Sequence, residues 1–180
     1  MQLSAKMVRE RLAHMKPRLT NCSLETSRKG QNAVGELMRA VHHGQVRVKH
    51  HDFENFEGAW VLPDDPRRDG TILYLHGGGY TCGGLEYALG FGAALADECG
   101  AKVFCAAYRL APEFPFPAAV EDAAQAYEYL LKKGYAPEKI SLCGESAGGG
   151  LCFALCLYLR QQGLPLPGSI VAISPWTDLT

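Results

Sequence analysis

The sequence of 180 residues has no long hydrophobic run, no apolar leader and no regular cysteine framework. Its longest continuous apolar stretch, Leu151–Leu159, has nine residues, whereas a membrane-spanning helix needs about 20, so no membrane span is expected. The first 16 residues carry charges throughout and contain no secretory signal core. Seven cysteines, an odd number without framework spacing, favour free thiols in a reducing compartment. These absences predict a cytoplasmic protein.

Opposite charges are concentrated in different parts of a chain whose net charge is −1. Residues 1–51 hold ten Lys/Arg and three Glu, whereas residues 52–180 hold eight Lys/Arg and sixteen Asp/Glu. A basic segment can bind nucleic acid or a membrane surface. No aromatic residue is interleaved with the basic ones before Phe53, however, and the body has the complementary sign. We therefore expect an amphipathic segment that docks on an acidic body, with no nucleic-acid partner.

The apolar pattern of the first 45 residues predicts helices. Leu3 to Leu19 follow helical spacing, and a second, weaker helix is expected over about Asn32–His42. The polar stretch Thr20–Gly30 between them is typical of a turn.

The pattern changes at Val46, where two strands are expected near 46–51 and 53–62. From there, short apolar strands alternate with helices. The strands are expected near 71–75, 102–108, 140–143 and 169–174, and the helices near 86–99, 118–133 and 147–162. This alternation predicts an α/β fold with a mostly parallel sheet covered by helices on both faces. With 47% hydrophobic residues, the chain can bury such a core.

A glycine-flanked serine stands between a predicted strand and a predicted helix. The residues Gly144-Glu145-Ser146-Ala147-Gly148 fit the pattern G-x-S-x-G. In this turn the positions two before and two after the serine must be very small, and the serine hydroxyl is raised above the sheet at a helix N-terminus. Ser146 is therefore a candidate nucleophile. The alternative is a tight turn that contains an incidental serine.

A second glycine-rich loop, His76-Gly77-Gly78-Gly79, directly follows the strand predicted over 71–75. Acyl transfer creates an oxyanion that needs N–H donors about 3 Å away, and glycine lets the backbone approach a substrate closely. A phosphate cradle and a plain flexible loop are the alternatives. The sequence contains neither G-x-x-x-x-G-K-[ST] nor a G-x-G-x-x-G that opens a helix, which disfavours phosphate binding.

Four motifs, in this order and spacing, resemble the hormone-sensitive-lipase-like esterases of the α/β-hydrolase fold over about residues 45–180. They are HGGG, YRLAPE running into FPAAVEDA, GESAGG and SPWTDL. The resemblance implies that residues 1–45 are an N-terminal helical cap segment and that residues 46–180 are the N-terminal part of the hydrolase core. It implies no cofactor and no metal.

The resemblance also implies a serine carboxylic-ester hydrolase that prefers short acyl chains. Ser146 would attack the carbonyl of a small-molecule ester and form an acyl-enzyme, which water would release. The proposed oxyanion hole consists of the N–H groups of Gly78, Gly79 and Ala147. The residues implied to support it, with His76 as an anchor of the loop and not the base, are His76, Gly77 and Glu145. Glu145 stands where many relatives have Asp, and Phe114 stands where His is common.

No catalytic acid and base are found after the candidate nucleophile. In this fold the order along the chain is Ser, acid, His, but all six histidines precede Ser146 and only Asp178 follows it among the acids. In the family, this aspartate is not the catalytic one. We therefore expect the isolated chain to be inactive, and a rescue by the pairs His42/His43 or His50/His51 is disfavoured. A non-catalytic, small-molecule-binding member of the superfamily is the alternative.

Three further expectations concern the last strand, the two tryptophans and a set of polar residues. The last strand, Ser169–Ser174, is apolar and uncharged, and as an open edge it would favour self-association. We expect Trp60 and Trp176 to be packing residues. A loop-fixing polar set is expected from Arg109, Glu113 and Asp122.

Overall fold

The computed structural model describes residues 22–178, which contain a six-stranded sheet. The strands are β1 (Val46–Asp52), β2 (Glu57–Pro63), β3 (Thr71–Leu75), β4 (Lys102–Ala107), β5 (Ile140–Glu145) and β6 (Ser169–Ile173). Their spatial order is β1-β2-β4-β3-β5-β6. The pairs β1/β2 and β2/β4 are antiparallel, and the pairs β4/β3, β3/β5 and β5/β6 are parallel.

Helices cover both faces of this sheet. They are α1 (Leu24–Val41), α2 (Leu85–Cys99), α3 (Ala118–Lys132) and α4 (Ala147–Gln161). One buried cluster contains Leu89 of α2 and Tyr74 of β3, and the other contains Tyr127 of α3, Leu151 of α4 and Phe104 of β4. The α/β class and the mostly parallel, doubly covered sheet are thus confirmed. None of the helices within residues 22–178 is long and apolar enough to cross a membrane.

The first described helix begins earlier than the sequence pattern predicts. The turn expected over Thr20–Gly30 is wrong from Leu24 onward, because the hydroxyl of Ser23 caps the helix by accepting a hydrogen bond from the N–H of Thr26 at 3.2 Å. An ion pair between Lys29 and Glu25 spans one turn of this polar part. The helix expected over residues 3–19 lies outside the described residues.

Close backbone packing docks α1 on α2. A Cβ atom on Gly35 would collide with the carbonyl oxygen of Glu86, and one on Gly90 would lie 2.5 Å from the carbonyl oxygen of Gly35. Arg39 pairs with the carboxylate of Glu86 at 2.9 Å, and His42 contacts Asp97 at 2.8 Å. Arg39 of α1 and His42, which directly follows this helix, thus face carboxylates of the body, as the charge distribution predicts.

The strand β6 lies at one edge of the described sheet and pairs only with β5 within residues 22–178. The side chains of Val171 and Ile173 are 52% and 48% exposed. Two apolar side chains of the adjacent helix α4, Phe153 and Leu157, are also exposed. Apolar side chains are therefore exposed both on the edge strand and on this helix.

Candidate active site

The turn from β5 to α4 forces Ser146 into a strained conformation. Its φ is +54° and its ψ is −119°, a region that costs a non-glycine residue about 1–3 kcal/mol. A Cβ atom on Gly144 would lie 2.5 Å from the carbonyl carbon of Gly148, and one on Gly148 would collide with the carbonyl oxygen of Leu75. Both flanking glycines are therefore required by contact, as the motif predicts.

The backbone of Ser146 is held from three directions, whereas its side chain is exposed. Its N–H donates to the carbonyl of Ile173 at 3.0 Å, and its own carbonyl accepts from the N–H groups of Gly150 at 3.0 Å and Trp176 at 2.8 Å. The hydroxyl has no hydrogen-bond partner within residues 22–178. The strain is thus maintained by β6 and the segment after it, and the hydroxyl remains accessible.

The glycine loop after β3 presents N–H groups that are not used by the fold. Gly78 and Gly79 have φ values of +119° and +63°, and a Cβ atom on Gly78 would collide with the carbonyl of Cys82. The carbonyl of Gly78 accepts hydrogen bonds from the N–H groups of Thr81 and Cys82. The N–H groups of Gly78, Gly79 and Ala147 have no acceptor in the described part of the chain. They can therefore donate to a ligand.

The carboxylate of Glu145 joins the two loops. Its Oε1 accepts a hydrogen bond from the N–H of Gly77 at 2.6 Å, and its Oε2 accepts one from the hydroxyl of Tyr74 at 2.7 Å. Burial and the neighbouring Glu145 raise the pKa of the Tyr74 hydroxyl, and the same causes raise the pKa of Tyr87 to about 12. The parallel register that aligns Leu75 with Gly144 brings the loops side by side. Tyr74 was not singled out by the sequence pattern.

The imidazole of His76 is buried in the glycine loop. It is fully inaccessible, stacks on the ring of Tyr108 at 4.3 Å, and donates from Nδ1 to the carbonyl of Gly77 at 2.7 Å. Burial lowers its pKa to about 4, so it is neutral at pH 7. This geometry suits the expected role as an anchor of the loop, which stays a prediction.

Of the two histidine pairs for which a rescue as the base is disfavoured, one member of each has another contact. His42 contacts Asp97, and His51 stacks on the ring of Tyr129 at 4.1 Å. Because the Ser146 hydroxyl has no partner within residues 22–178, no described histidine is placed to take its proton.

The predicted polar set is divided between two clusters. The guanidinium of Arg109 donates hydrogen bonds of 2.7 to 3.0 Å to the fully buried carboxylate of Asp122, and its backbone N–H donates another at 2.8 Å. Glu113 does not join this cluster, because Arg28 of α1 binds it through two hydrogen bonds of 2.7 and 2.8 Å. This guanidinium lowers the pKa of the Glu113 carboxyl to about 2. Arg28 lies in the stretch expected to be a turn, and no sequence motif marks it as a partner of Glu113.

The two tryptophans have different surroundings. Trp60 is buried and donates to the hydroxyl of Tyr129 at 3.0 Å, as expected of a packing residue. Trp176 is 44% exposed and lies beside the glycine loop, where a Cβ atom on Gly79 would be 3.9 Å from its ring. Its ring is also 6.2 Å from that of Tyr80. Trp176 therefore lies at the edge of the candidate site.

A separate open cavity of about 830 Å³ lies against β1, β2 and the end of α3. Its walls include Lys49, Trp60, Tyr129 and Lys133, and none of the glycine-loop or serine-turn residues. This cavity does not belong to the candidate site.

Comparison with known proteins identifies the family. A family model described as the alpha/beta hydrolase fold matches residues 72–180. The chain belongs to this α/β-hydrolase family. Within it, the relatives place the chain among the hormone-sensitive-lipase-like esterases. An acetyl-hydrolase of Streptomyces hygroscopicus is 50% identical over 121 residues, and human hormone-sensitive lipase is 37% identical over 125 residues.

Solved structures of the same family agree with this assignment. An esterase from the bacterial hormone-sensitive lipase family matches 99% of this chain and 60% of its own, with a TM-score of 0.83 and 33% identity. An esterase/lipase from an uncultured bacterium matches 88% of this chain and 53% of its own, with a TM-score of 0.80 and 38% identity. The match with the acetyl-hydrolase covers 67% of this chain and 40% of that protein, and the match with human hormone-sensitive lipase covers 12% of the latter. The chain thus spans less than two thirds of the length of each of these proteins.

The buried His76 predicts a pH dependence of stability. Its pKa falls from 6.5 to about 4 on folding, so between these pH values the unfolded chain binds the additional proton. The free energy of unfolding should therefore decrease by roughly 3 kcal/mol as the pH falls from 7 to 4 through this group alone. Urea denaturation across this range should show a weaker pH dependence for His76→Gln than for the unmodified chain. The control His43→Gln, at an exposed position, should retain the full dependence, and equal slopes for all three proteins would contradict the prediction.

Proposed function

We propose that this chain carries the nucleophile and the oxyanion hole of a serine carboxylesterase. The observation that supports this most strongly is the pairing of an exposed, strained Ser146 with the uncommitted N–H groups of Gly78, Gly79 and Ala147. Glu145 bridges the two loops that carry them. Tetrahedral intermediates of acyl transfer need a nucleophile and preorganised donors in this relation.

The proposed reaction proceeds through an acyl-enzyme. Ser146 Oγ forms a bond to the ester carbonyl carbon and loses its proton to a base. The carbonyl oxygen becomes an oxyanion that accepts hydrogen bonds from the three N–H groups. The carbon–oxygen bond to the alcohol then breaks, and the proton passes to the departing alkoxide. Water releases the acid in the second half of the reaction. Each donor of such a hole contributes roughly 100- to 1000-fold to the rate.

The substrate class that we propose is small esters with short acyl chains. Support comes from the names of relatives, which include an acetyl-hydrolase and an ethyl acetate hydrolase of Pseudomonas putida. The exposed edge of Trp176 next to Gly79 would face a bound acyl or alcohol group.

We also propose that residues 1–45 form a helical cap segment over a core that begins at residue 46. A cytoplasmic location is proposed because no disulfide bond joins the cysteines at positions 82, 99, 105, 143, 152 and 156.

We propose that the acid and base of this reaction are not supplied by this 180-residue chain. No described histidine contacts the Ser146 hydroxyl, and the relatives are much longer than the span that this chain matches. The isolated chain should then be inactive. The same lack of a base supports the second candidate, a member of the superfamily that binds a small molecule without hydrolysing it.

A test of the proposed function uses exogenous imidazole as a replacement base. The chain and its Ser146→Ala variant are incubated with p-nitrophenyl acetate, with and without imidazole. Without imidazole, we expect equal, near-background release of p-nitrophenol. With imidazole, we expect release above the Ser146→Ala background, together with acetylation of Ser146 detected by mass spectrometry. Serine-dependent turnover without imidazole would reveal a base within the chain, and no acetylation under either condition would argue for the binding function.

We further propose that the exposed β6 edge pairs with a second copy of the chain. Unpaired N–H and C=O groups of an apolar edge strand are a template for pairing, and Val171 and Ile173 are about half exposed there. The chain should therefore associate with increasing concentration in sedimentation equilibrium. Val171→Lys should weaken the association, since a charge would be brought to the contact. The control Val34→Lys alters a comparably exposed side chain on α1 (51%) and should leave association unchanged. A monodisperse monomer at all concentrations would exclude the proposed pairing.

A further inference from the structure

The conformation of the glycine loop depends on contacts from outside it. Gly78 and Gly79 both adopt positive φ and lack side chains that could anchor them. Their N–H groups can point toward a ligand only if the following turn, which ends at Cys82, is fixed. That turn is closed by the hydrogen bonds from the N–H groups of Thr81 and Cys82 to the carbonyl of Gly78 at 3.2 and 2.9 Å. A group that holds Thr81 therefore also restricts Gly78.

Arg28 of α1 binds this turn directly. Its Nε donates to the carbonyl of Thr81 at 2.7 Å, and its Nη2 donates to the carbonyl of Ala111 at 3.0 Å. The same guanidinium forms two parallel hydrogen bonds with the carboxylate of Glu113. Its side chain is 28% exposed, so these bonds are partly shielded from water. The planar guanidinium matches all three acceptors at once, which the point charge of a lysine cannot do.

A second side chain of α1 lies against the same loop. The side-chain Oε1 of Gln31 is buried without a hydrogen-bond partner in the described chain, and it would lie 2.9 Å from a Cβ atom on Gly78. The N-terminal half of α1 therefore packs along the glycine loop. Its C-terminal half, in contrast, contacts α2 through Gly35 and Arg39.

We propose that Arg28 is a positioning residue that sets the conformation of the oxyanion loop from the N-terminal helix. This inference rests on the proposed function, because only that function assigns the N–H groups of the glycine loop to an oxyanion hole. Arg28 would not touch the substrate. It would hold Thr81 and the segment at Ala111 in one arrangement, and thereby fix the direction of the N–H groups of Gly78 and Gly79. The N-terminal helix would then help to position the oxyanion hole in addition to its proposed role in the cap segment.

A merely structural role is the competing account, in which Arg28 only docks α1 on the body. The chain offers a matched control for it. Arg39 lies on the same helix and forms an ion pair of 2.9 Å with Glu86, but it has no hydrogen bond to the glycine loop. Loss of either arginine removes an ion pair from the docked helix, whereas only the loss of Arg28 removes a contact with Thr81.

The test measures hydrogen exchange of peptides spanning residues 77–83 by mass spectrometry, together with the melting temperature. In Arg28→Ala, we expect the amides of this segment to exchange about tenfold faster or more, since a charge-assisted hydrogen bond is lost. In Arg39→Ala, the melting temperature should also fall, because the ion pair with Glu86 is lost, while exchange of the loop stays unchanged. Arg28→Lys should keep the pairing with Glu113 and most of the melting temperature, but it should leave the loop exchanging fast.

Three outcomes would overturn the inference: unchanged loop exchange in Arg28→Ala, equal acceleration in Arg39→Ala, or full protection of the loop in Arg28→Lys. If Arg28→Ala does not fold, Arg28→Lys alone separates the two accounts, because helix docking predicts a protected loop in that variant. The measurement needs no turnover. A failure of the esterase proposal would therefore appear as an absence of acetylation at Ser146 and would leave the exchange result unaffected.

Discussion

The carboxylate of Glu145 is the contact on which the candidate site depends. It accepts hydrogen bonds from the N–H of Gly77 and from the hydroxyl of Tyr74. Glu145 is also the residue directly before Ser146 in the chain. The glycine loop and the serine turn thus cannot move independently without breaking a charge-assisted hydrogen bond. The absence of side chains at Gly144 and Gly148 allows the two loops to approach within backbone contact. Proximity and fixed orientation are therefore built into the fold before any ligand binds.

Contacts from outside the two loops hold the strained backbone of Ser146 and the glycine loop in place. The positive φ of Ser146 is maintained by its N–H, which donates to Ile173, and by its carbonyl, which accepts from the N–H groups of Gly150 and Trp176. The strand β6 therefore contributes to the site although it lies at the edge of the described sheet. The helix α1 contacts the turn after the glycine loop through Arg28, which donates to the carbonyl of Thr81. The serine turn and the glycine loop are thus each held by contacts from outside their own motif.

Most of the fold and the central motifs could be predicted because they depend on local signals. Alternating apolar strands and helices indicated the α/β class, and the glycines around Ser146 indicated the sharp turn. The remainder depends on tertiary contacts without a local signature. The polar residues before Gly30 form a helix because Ser23 caps it and α2 supports it. Partners distant in sequence, such as Arg28 with Glu113 and Tyr74 with Glu145, follow from strand order and helix docking, which no periodicity encodes.

The central claim is that Ser146 and the three N–H groups form one site for acyl transfer. The most direct test is a crystal structure of the chain after reaction with a p-nitrophenyl phosphonate in the presence of imidazole. We expect phosphorus bonded to Ser146 Oγ, with the phosphonyl oxygen about 3 Å from the nitrogen atoms of Gly78, Gly79 and Ala147. An adduct at another residue, or a phosphonyl oxygen directed to solvent away from these donors, would contradict the account.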